Sequence, residues 1–258
     1  MKRNATKTGA DPDASARAAV DEREVQKFAG LAAEWWDPAG PMAPLHALNP
    51  WRIDAIKQAV CRQFGQDPST RQPLLGRTLL DIGCGAGLLC EPMSRLDAVV
   101  TGIDPAEEVI EVARAHAAAE QLSIDYRTGL VGDIAAAGQR FDIVCALEVV
   151  EHSEDPASFV REAAACVADG GLLVLSTIAR TNRAWLQAIV AAEYLLRWLP
   201  TGTHEWKRFV NASELARMVR AAGLTLREVR SVRYDARTGR FVDAPRPDVN
   251  YLMVAAKA

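Results

Sequence analysis

The chain has 258 residues, of which 49% are hydrophobic and 24% charged, with a formal net charge of −3. This is the balance of an ordinary soluble globular fold, and it excludes the basic field expected of a nucleic-acid binder. The five cysteines (61, 84, 90, 145 and 166) are odd in number and include no CxxC pair, which argues against a disulfide framework and for a reducing compartment.

Residues 1–20 are rich in Ala, Asp, Arg and Lys with little apolar patterning, the composition of a disordered tail. Asp11, Asp13, Asp21 and Glu22 argue against a mitochondrial presequence, and no secretory h-region or bilayer-spanning run is present. A bacterial cytoplasm is the simplest expectation. Residues 21–75 read as helical, in "EVQKFAGLAAEWWDP" and "NPWRIDAIKQAVCRQF", with Pro38, Pro41 and Pro44 breaking them apart.

From 76 to 178 short apolar strands alternate with helical stretches. The strands are "RTLLDIG", "AVVTGIDP", "LSIDYRTG", "FDIVCALE" and "GLLVLSTI", and the helices fall near 86–95, 106–119 and 154–168. Such alternation predicts a mostly parallel sheet covered on both faces. An insert-like stretch, 179–210, follows. Then "NASELARMVRAAG" predicts a helix capped at Asn211 or Ser213 and ended by Gly223. Two last strands, "LTLREVRSVRYD" and "VNYLMVAAKA", are expected to pair antiparallel at the sheet edge, across a turn-rich link holding Gly239, Pro245 and Pro247.

In "LLDIGCGAGLL", Gly83, Gly85 and Gly87 stand between a strand and a helix, with Asp81 two residues ahead. The spacing is GxGxG; the third glycine of the dinucleotide fingerprint GxGxxG would fall at Leu88. A nicotinamide oxidoreductase is therefore disfavoured. Asp104 ends the second strand, where an acid suits both ribose hydroxyls. Together these features point to a nucleoside ligand without a pyrophosphate.

The arrangement resembles the class I S-adenosylmethionine-dependent methyltransferases. The resemblance implies an α/β, Rossmann-like seven-stranded sheet with helices on both faces, a helical cap over 21–75, and one methyltransferase domain over 21–258. It also implies that Asp81, Gly83, Gly85 and Gly87 form the cofactor loop, that Asp104 takes the ribose, and that Gly132 and Asp133 border the adenine.

Methyl transfer from a sulfonium needs an aligned, deprotonated acceptor. A phenol titrates near a pH of about 10, so its proton must be taken by a base or displaced by a Lewis acid. "FDIVCALEVVEHSEDP" sets Glu148, Glu151 and His152 where the fourth strand should end, at the ligand-binding edge of such sheets. If the chain coils there, positions i, i+3 and i+4 share a face. Three roles stay open: ligands for Mg²⁺ or Zn²⁺, a His152 general base, or a structural turn.

Flanking segments are more specific. "FAGLAAEWWDPAGPMAPLHALNPWR", with adjacent Trp35 and Trp36, resembles the N-terminal signature of the ubiquinone-biosynthesis O-methyltransferases, and "GTHEWKRFV" and "DVNYL" resemble later ones. The resemblance runs from about Phe28 to Met253. It implies methylation of ring hydroxyls on polyprenylated catechols and demethylubiquinols. It implies cofactor contacts from Arg52, Gly83, Asp104 and Leu147, with Arg52 on the cofactor carboxylate, where a guanidinium binds bidentately. Glu148, Glu151 and His152 match the family's metal positions, and Glu148 and His152 are the catalytic candidates. Ala86 departs from members that carry Gly there.

Such an acceptor carries an isoprenoid tail and resides in the bilayer. In "NRAWLQAIVAAEYLLRWLP", wound at about 100° per residue, Asn182, Arg183, Gln187, Glu193 and Arg197 fall in one stripe, and apolar residues with Trp185 and Trp198 cover the rest. The segment is too short and charged to span a bilayer but suits its interface; burial against a partner subunit is the alternative. The expected location is the bacterial inner membrane surface, with lipid and a quinone-synthesis assembly as partners. Two rivals remain: a methyltransferase of another small phenol or amine, and a non-catalytic cofactor-binding subunit of that assembly.

Overall fold

Strand by strand, alternate side chains go to opposite apolar layers. Leu79, Ile143, Cys145, Leu172, Val174 and Leu252 pack on one side, and Leu80, Val144, Ala146, Leu173, Leu175 and Tyr251 on the other. This is the consequence of a two-residue period in strands that are apolar throughout. The computed structural model describes residues 26, 29–181, 209–235, 237–247 and 249–258. The expected tail and most of the insert, including Trp185, Trp198, His204, Trp206 and Lys207, lie outside the described residues.

The sheet has eight strands: β1 (Thr78–Ile82), β2 (Val99–Asp104), β3 (Asp125–Thr128), β4 (Phe141–Leu147), β5 (Val167–Ile178), β6 (Thr225–Asp235), β7 (Arg240–Ala244) and β8 (Asn250–Ala256). Their order is β3-β2-β1-β4-β5-β8-β6-β7. The first five are parallel and the last three pair antiparallel. On the Leu79 side lie α1 (Ala43–Phe64), α2 (Cys90–Arg95) and α3 (Glu107–Ala119); on the Leu80 side lie α4 (Val131–Ala136), α5 (Pro156–Ala165) and α6 (Ala212–Ala221). The α/β, Rossmann-like class is as expected.

Several details differ from the sequence expectation. The turn-rich link contains β7, so the sheet has eight strands rather than seven. β6 is 11 residues long; one of its edges pairs with β8 as far as Val232, and the opposite edge pairs over Ser231–Asp235 with β7. The edge strand is therefore β7. Residues 30–42 form turns and a short 3₁₀ helix (Ala32–Glu34) instead of a regular helix.

Helix α1 begins at Ala43 and is not broken by Pro44, which occupies its first turn, where a missing N–H costs nothing. Pro50 then falls inside the helix, and Gly65, at φ 66°, ends it. Finally, α2 starts only at Cys90, after the glycines have turned, and α5 is shorter than expected. Asp155 caps α5 by accepting from the N–H groups of Ala157 and Ser158 at 3.0 and 3.2 Å.

Tyr251 of β8 is fully buried, and its hydroxyl donates to the Val210 carbonyl at 2.8 Å, just before α6. Tyr251→Phe would leave that buried carbonyl without its donor. It should lower the unfolding free energy by about 1–3 kcal/mol, read as a lower urea midpoint with an unchanged denaturant slope. An unmoved midpoint would show that the bond contributes nothing net.

Candidate active site

The loop after β1 is held from below by β2. Gly83 and Cys84 donate their N–H groups to the Ile103 carbonyl at 2.8 and 3.0 Å. Gly83, Gly85 and Gly87 all have left-handed φ values, 68°, 54° and 96°. At Gly83 a Cβ would meet Val149 Cγ2 at 2.5 Å, and at Gly85 it would run into the Trp35 ring. These two positions therefore need glycine both for the backbone and for space.

Asp104 ends β2 and accepts from the N–H of Gly85 (3.1 Å) through Oδ2 and of Ala106 (3.0 Å) through Oδ1. Burial raises its carboxyl above the usual range, against those two bonds. Asp81 is buried under the loop and accepts the Cys90 thiol at 3.3 Å. Burial pushes it up to about 7; the Cys90 bond opposes the shift, the Asp104 charge adds to it, and Arg52 opposes it.

The end of β4 forms the second half of the site. Leu147 pairs with Ser176 of β5. Glu148 then takes a left-handed φ of 56°, unusual for a residue with a Cβ and typical of functional turns. Its Oε1 accepts from Arg52 Nη2 (2.8 Å), Ser176 Oγ (2.8 Å) and Asn250 Nδ2 (3.2 Å). Arg52 is itself buried, and its Nε has no hydrogen-bond partner among the described residues.

Glu151 lies in a 3₁₀ turn, Val150–His152, and is almost wholly buried. Burial first, and then the Glu148 charge, push its carboxyl well above the ordinary carboxylate range, while His152 pulls the other way. The Thr177 hydroxyl lies near enough to favour the carboxylate. Even so, neither Glu151 Oε2 nor Thr177 Oγ1 has a partner at hydrogen-bond geometry among the described residues. Beside Glu151 opens a cavity of about 640 Å³, lined also by Ser153, Arg180, Phe209, Glu214 and Arg217.

The three expected metal ligands are close in sequence but are not gathered. Among the described residues no three His, Cys, Asp or Glu side chains are arranged to hold a metal ion. The shared-face expectation assumed helical coiling from Glu148 onward. The left-handed Glu148 and the non-helical Val149 (φ −124°, ψ −38°) break that coiling, send Glu148 towards Arg52 and leave Glu151 inward.

Asp133 also departs from a simple ligand position. It is exposed, and its Oδ2 accepts the Leu130 N–H (3.4 Å) at the start of α4. Its loop still lies beside Asp104, whose carbonyl accepts the Gly129 N–H at 3.1 Å. Sequence reasoning overlooked Ser176, Thr177 and Asn250. The available signal was a polar pair closing the apolar run "GLLVLSTI" and an amide opening the last strand.

A family profile described as "Methyltransferase domain" matches residues 51–229. The chain is 50% identical over 238 residues to the ubiquinone biosynthesis O-methyltransferase of Methylobacterium sp. (strain 4-46), a match covering 92% of this chain and 96% of the relative. It is 45% identical over 244 residues to the protein of the same name from Azorhizobium caulinodans, covering 95% and 96%. Among solved structures, magnesium protoporphyrin IX methyltransferase from Synechocystis PCC 6803, with bound SAM, matches with a TM-score of 0.62 at 16% identity, over 94% of this chain and 100% of that one. That likeness carries the fold, and the close relatives carry the rest. The chain belongs to the ubiquinone biosynthesis O-methyltransferases, a family of S-adenosylmethionine-dependent enzymes.

Proposed function

We propose that the enzyme methylates a ring hydroxyl of polyprenyl catechols and demethylubiquinol. The observation that carries this is the position of Glu151, a buried carboxyl whose Oε2 has no hydrogen-bond partner among the described residues, between the end of β4 and the cavity of about 640 Å³. S-adenosylmethionine supplies a methyl group already activated by its sulfonium charge. The protein must therefore hold the cofactor, align the acceptor and manage one proton.

In this reading the free Nε side of Arg52 takes the cofactor carboxylate, Asp81 faces its amino group, and Asp104 takes the ribose. Gly83, Gly85, Gly87 and Leu147 give close backbone approach, and the Gly132–Asp133 loop borders the adenine. Glu148 holds the Arg52 guanidinium in place through the 2.8 Å ion pair. The acceptor ring enters the cavity past Phe209 and Arg180. His152, beside Glu151, removes the hydroxyl proton, and the buried carboxylate stabilises the imidazolium that results.

The family resemblance also carries Mg²⁺ or Zn²⁺ at Glu148, Glu151 and His152. What supports a metal here is the donor chemistry: a buried carboxyl oxygen with no partner among the described residues stands within four residues of a second carboxylate and an imidazole. The side chains as placed do not form the ligand set, and no step is derived through an ion. The insert segment is proposed to rest on the inner-membrane surface and to receive the tail, alone or within a quinone-synthesis assembly. No helix among the described residues is long and apolar enough to cross a membrane.

Label from S-adenosylmethionine should pass to a short-chain demethylubiquinol and markedly more slowly to a tailless catechol; equal rates would favour a general phenol methyltransferase, and binding without turnover a scaffold subunit. In the same assay a chelator should lower the rate and Mg²⁺ or Zn²⁺ restore it, and indifference to both would remove the metal. His152→Gln should lower kcat by about 100-fold or more, the scale of a lost general base, and flatten the acid limb of the pH–rate profile. An unchanged kcat would show that the proton leaves by another group. Replacing Trp185 and Trp198 with Ser should weaken liposome binding without changing the rate on a soluble acceptor, and undiminished binding would end the membrane role of the insert.

A further inference from the structure

The residues from Ala32 to Asn49 are bound to the cofactor loop at three successive points. The buried Trp35 ring lies on Gly85, where a Cβ would collide with it. The Trp36 indole N–H donates to the Ala86 carbonyl at 3.1 Å. The Asn49 amide donates to the Leu88 carbonyl at 2.6 Å. The segment is also closed on itself, since His46 Nε2 lies 2.9 Å from the Trp35 carbonyl.

Trp36 is held from its other side. Its ring stacks flat on His116 of α3, with centroids 3.7 Å apart and planes 4° from parallel. His116 Nδ1 bonds Glu91 at 2.6 Å. Glu91 is fully buried in α2, its N–H bonds the Gly87 carbonyl at 3.1 Å, and Arg95 supplies its other charged partner at 3.2 Å. The contacts thus run in a closed circuit from the glycine loop through Trp36, His116 and Glu91 back to the loop. A buried carboxylate needs such partners, and they fix the His116 ring that Trp36 rests on.

The same segment reaches across the crevice. Ala32, Trp35 and Met42 form one apolar cluster with Ala86 and Leu88 of the glycine loop and with Ala106 and Val109 beyond β2. Asp104, the ribose acid, lies between those two walls and bonds one residue of each, Gly85 and Ala106.

We propose that residues 32–49 form a strap that sets the separation of the glycine loop from the β2–α3 loop, and that Trp36 is its positioning residue for S-adenosylmethionine and for the demethylated product. The strap acts on cofactor affinity and not on the chemical step. Trp36 touches no reacting atom; its effect passes through the Ala86 carbonyl and the loop backbone that receives the cofactor. The proposal rests on the assignment of the glycine loop as the cofactor site.

The test is calorimetric titration of the whole protein with S-adenosylhomocysteine, together with the KM for S-adenosylmethionine and kcat. Trp36→Phe keeps a ring on His116 but removes the N–H. It should raise Kd and KM together by about fivefold, the scale of one net hydrogen bond, with kcat at saturation unchanged. Asn49→Ala removes the Leu88 tether by a different route and should act in the same direction. The double variant should fall short of the product of the two, because both act on one loop.

Trp51→Phe is the matched control. It loses an indole bond to Asp243, 2.9 Å long and on the exposed side of the helix, and should leave cofactor affinity unchanged. Wild-type affinity in folded Trp36→Phe and Asn49→Ala proteins would overturn the strap while leaving the cofactor site in place. A loss confined to kcat would overturn it as well. Failure of the wild-type protein to bind S-adenosylhomocysteine would instead remove the cofactor assignment beneath it.

Discussion

The site depends on the parallel register of four strands. Ile82 lies opposite Ile103 of β2 on one side and Ala146 of β4 on the other. The next residue of each strand is therefore Gly83, Asp104 and Leu147, side by side at the carboxyl edge. Leu147 in turn lies opposite Ser176 of β5, and antiparallel β8 returns Asn250 beside Ile178. The glycine loop, Asp104 and the Glu148 hub all follow from one alignment. A slip of one residue would exchange the two faces of a strand, placing Asp81 in the layer now filled by Leu80 and Ile82.

That edge concentrates charge where the fold excludes water. Buried Arg52 is paired with the partly buried Glu148. Removing Glu148 would leave the guanidinium without its charge partner there, a loss bounded above by about 3–5 kcal/mol, the cost in a fully buried pair. Packing alone would be served as well by apolar residues at these positions. The arrangement makes sense as preparation for a charged ligand. Among the described residues Arg52 Nε, Glu151 Oε2 and Thr177 Oγ1 have no partner at hydrogen-bond geometry. Asp81, pushed up to about 7 by burial, would be drawn back to its charged form by an ammonium beside it. In the proposed reading, a zwitterionic cofactor would offset these costs.

Much of this was legible because it rests on local rules. Five apolar runs alternating with helical stretches define the parallel half of the sheet, and GxGxG with Asp104 defines its ligand edge. What was not legible rests on tertiary contacts. β7 pairs with the edge of β6 that β8 leaves open on the far side, a matter of tertiary arrangement rather than of the pattern in the link. Pro44 reads as a helix breaker until its place in the first turn of α1 is known. The grouping of Glu148, Glu151 and His152 on one face assumed helical torsions, and the left-handed φ of Glu148 reverses the chain at the first of them. Trp35 and Trp36 stand out by composition, but nothing in their spacing shows that they rest on Gly85 and Ala86, each 50 positions away.

Helix α1 joins the two halves of the site. Asn49 and Arg52, three residues apart, lie on one face of it. Asn49 reaches the Leu88 carbonyl beyond the glycines, and Arg52 reaches Glu148 at the end of β4. Between them Pro50 forgoes one helical bond, so the turn that carries both side chains is held by its contacts to the sheet more than by its own ladder. The proposed strap, residues 32–49, ends in this turn at Asn49, so its tether to the glycine loop and the Arg52–Glu148 pair are carried by one helical turn.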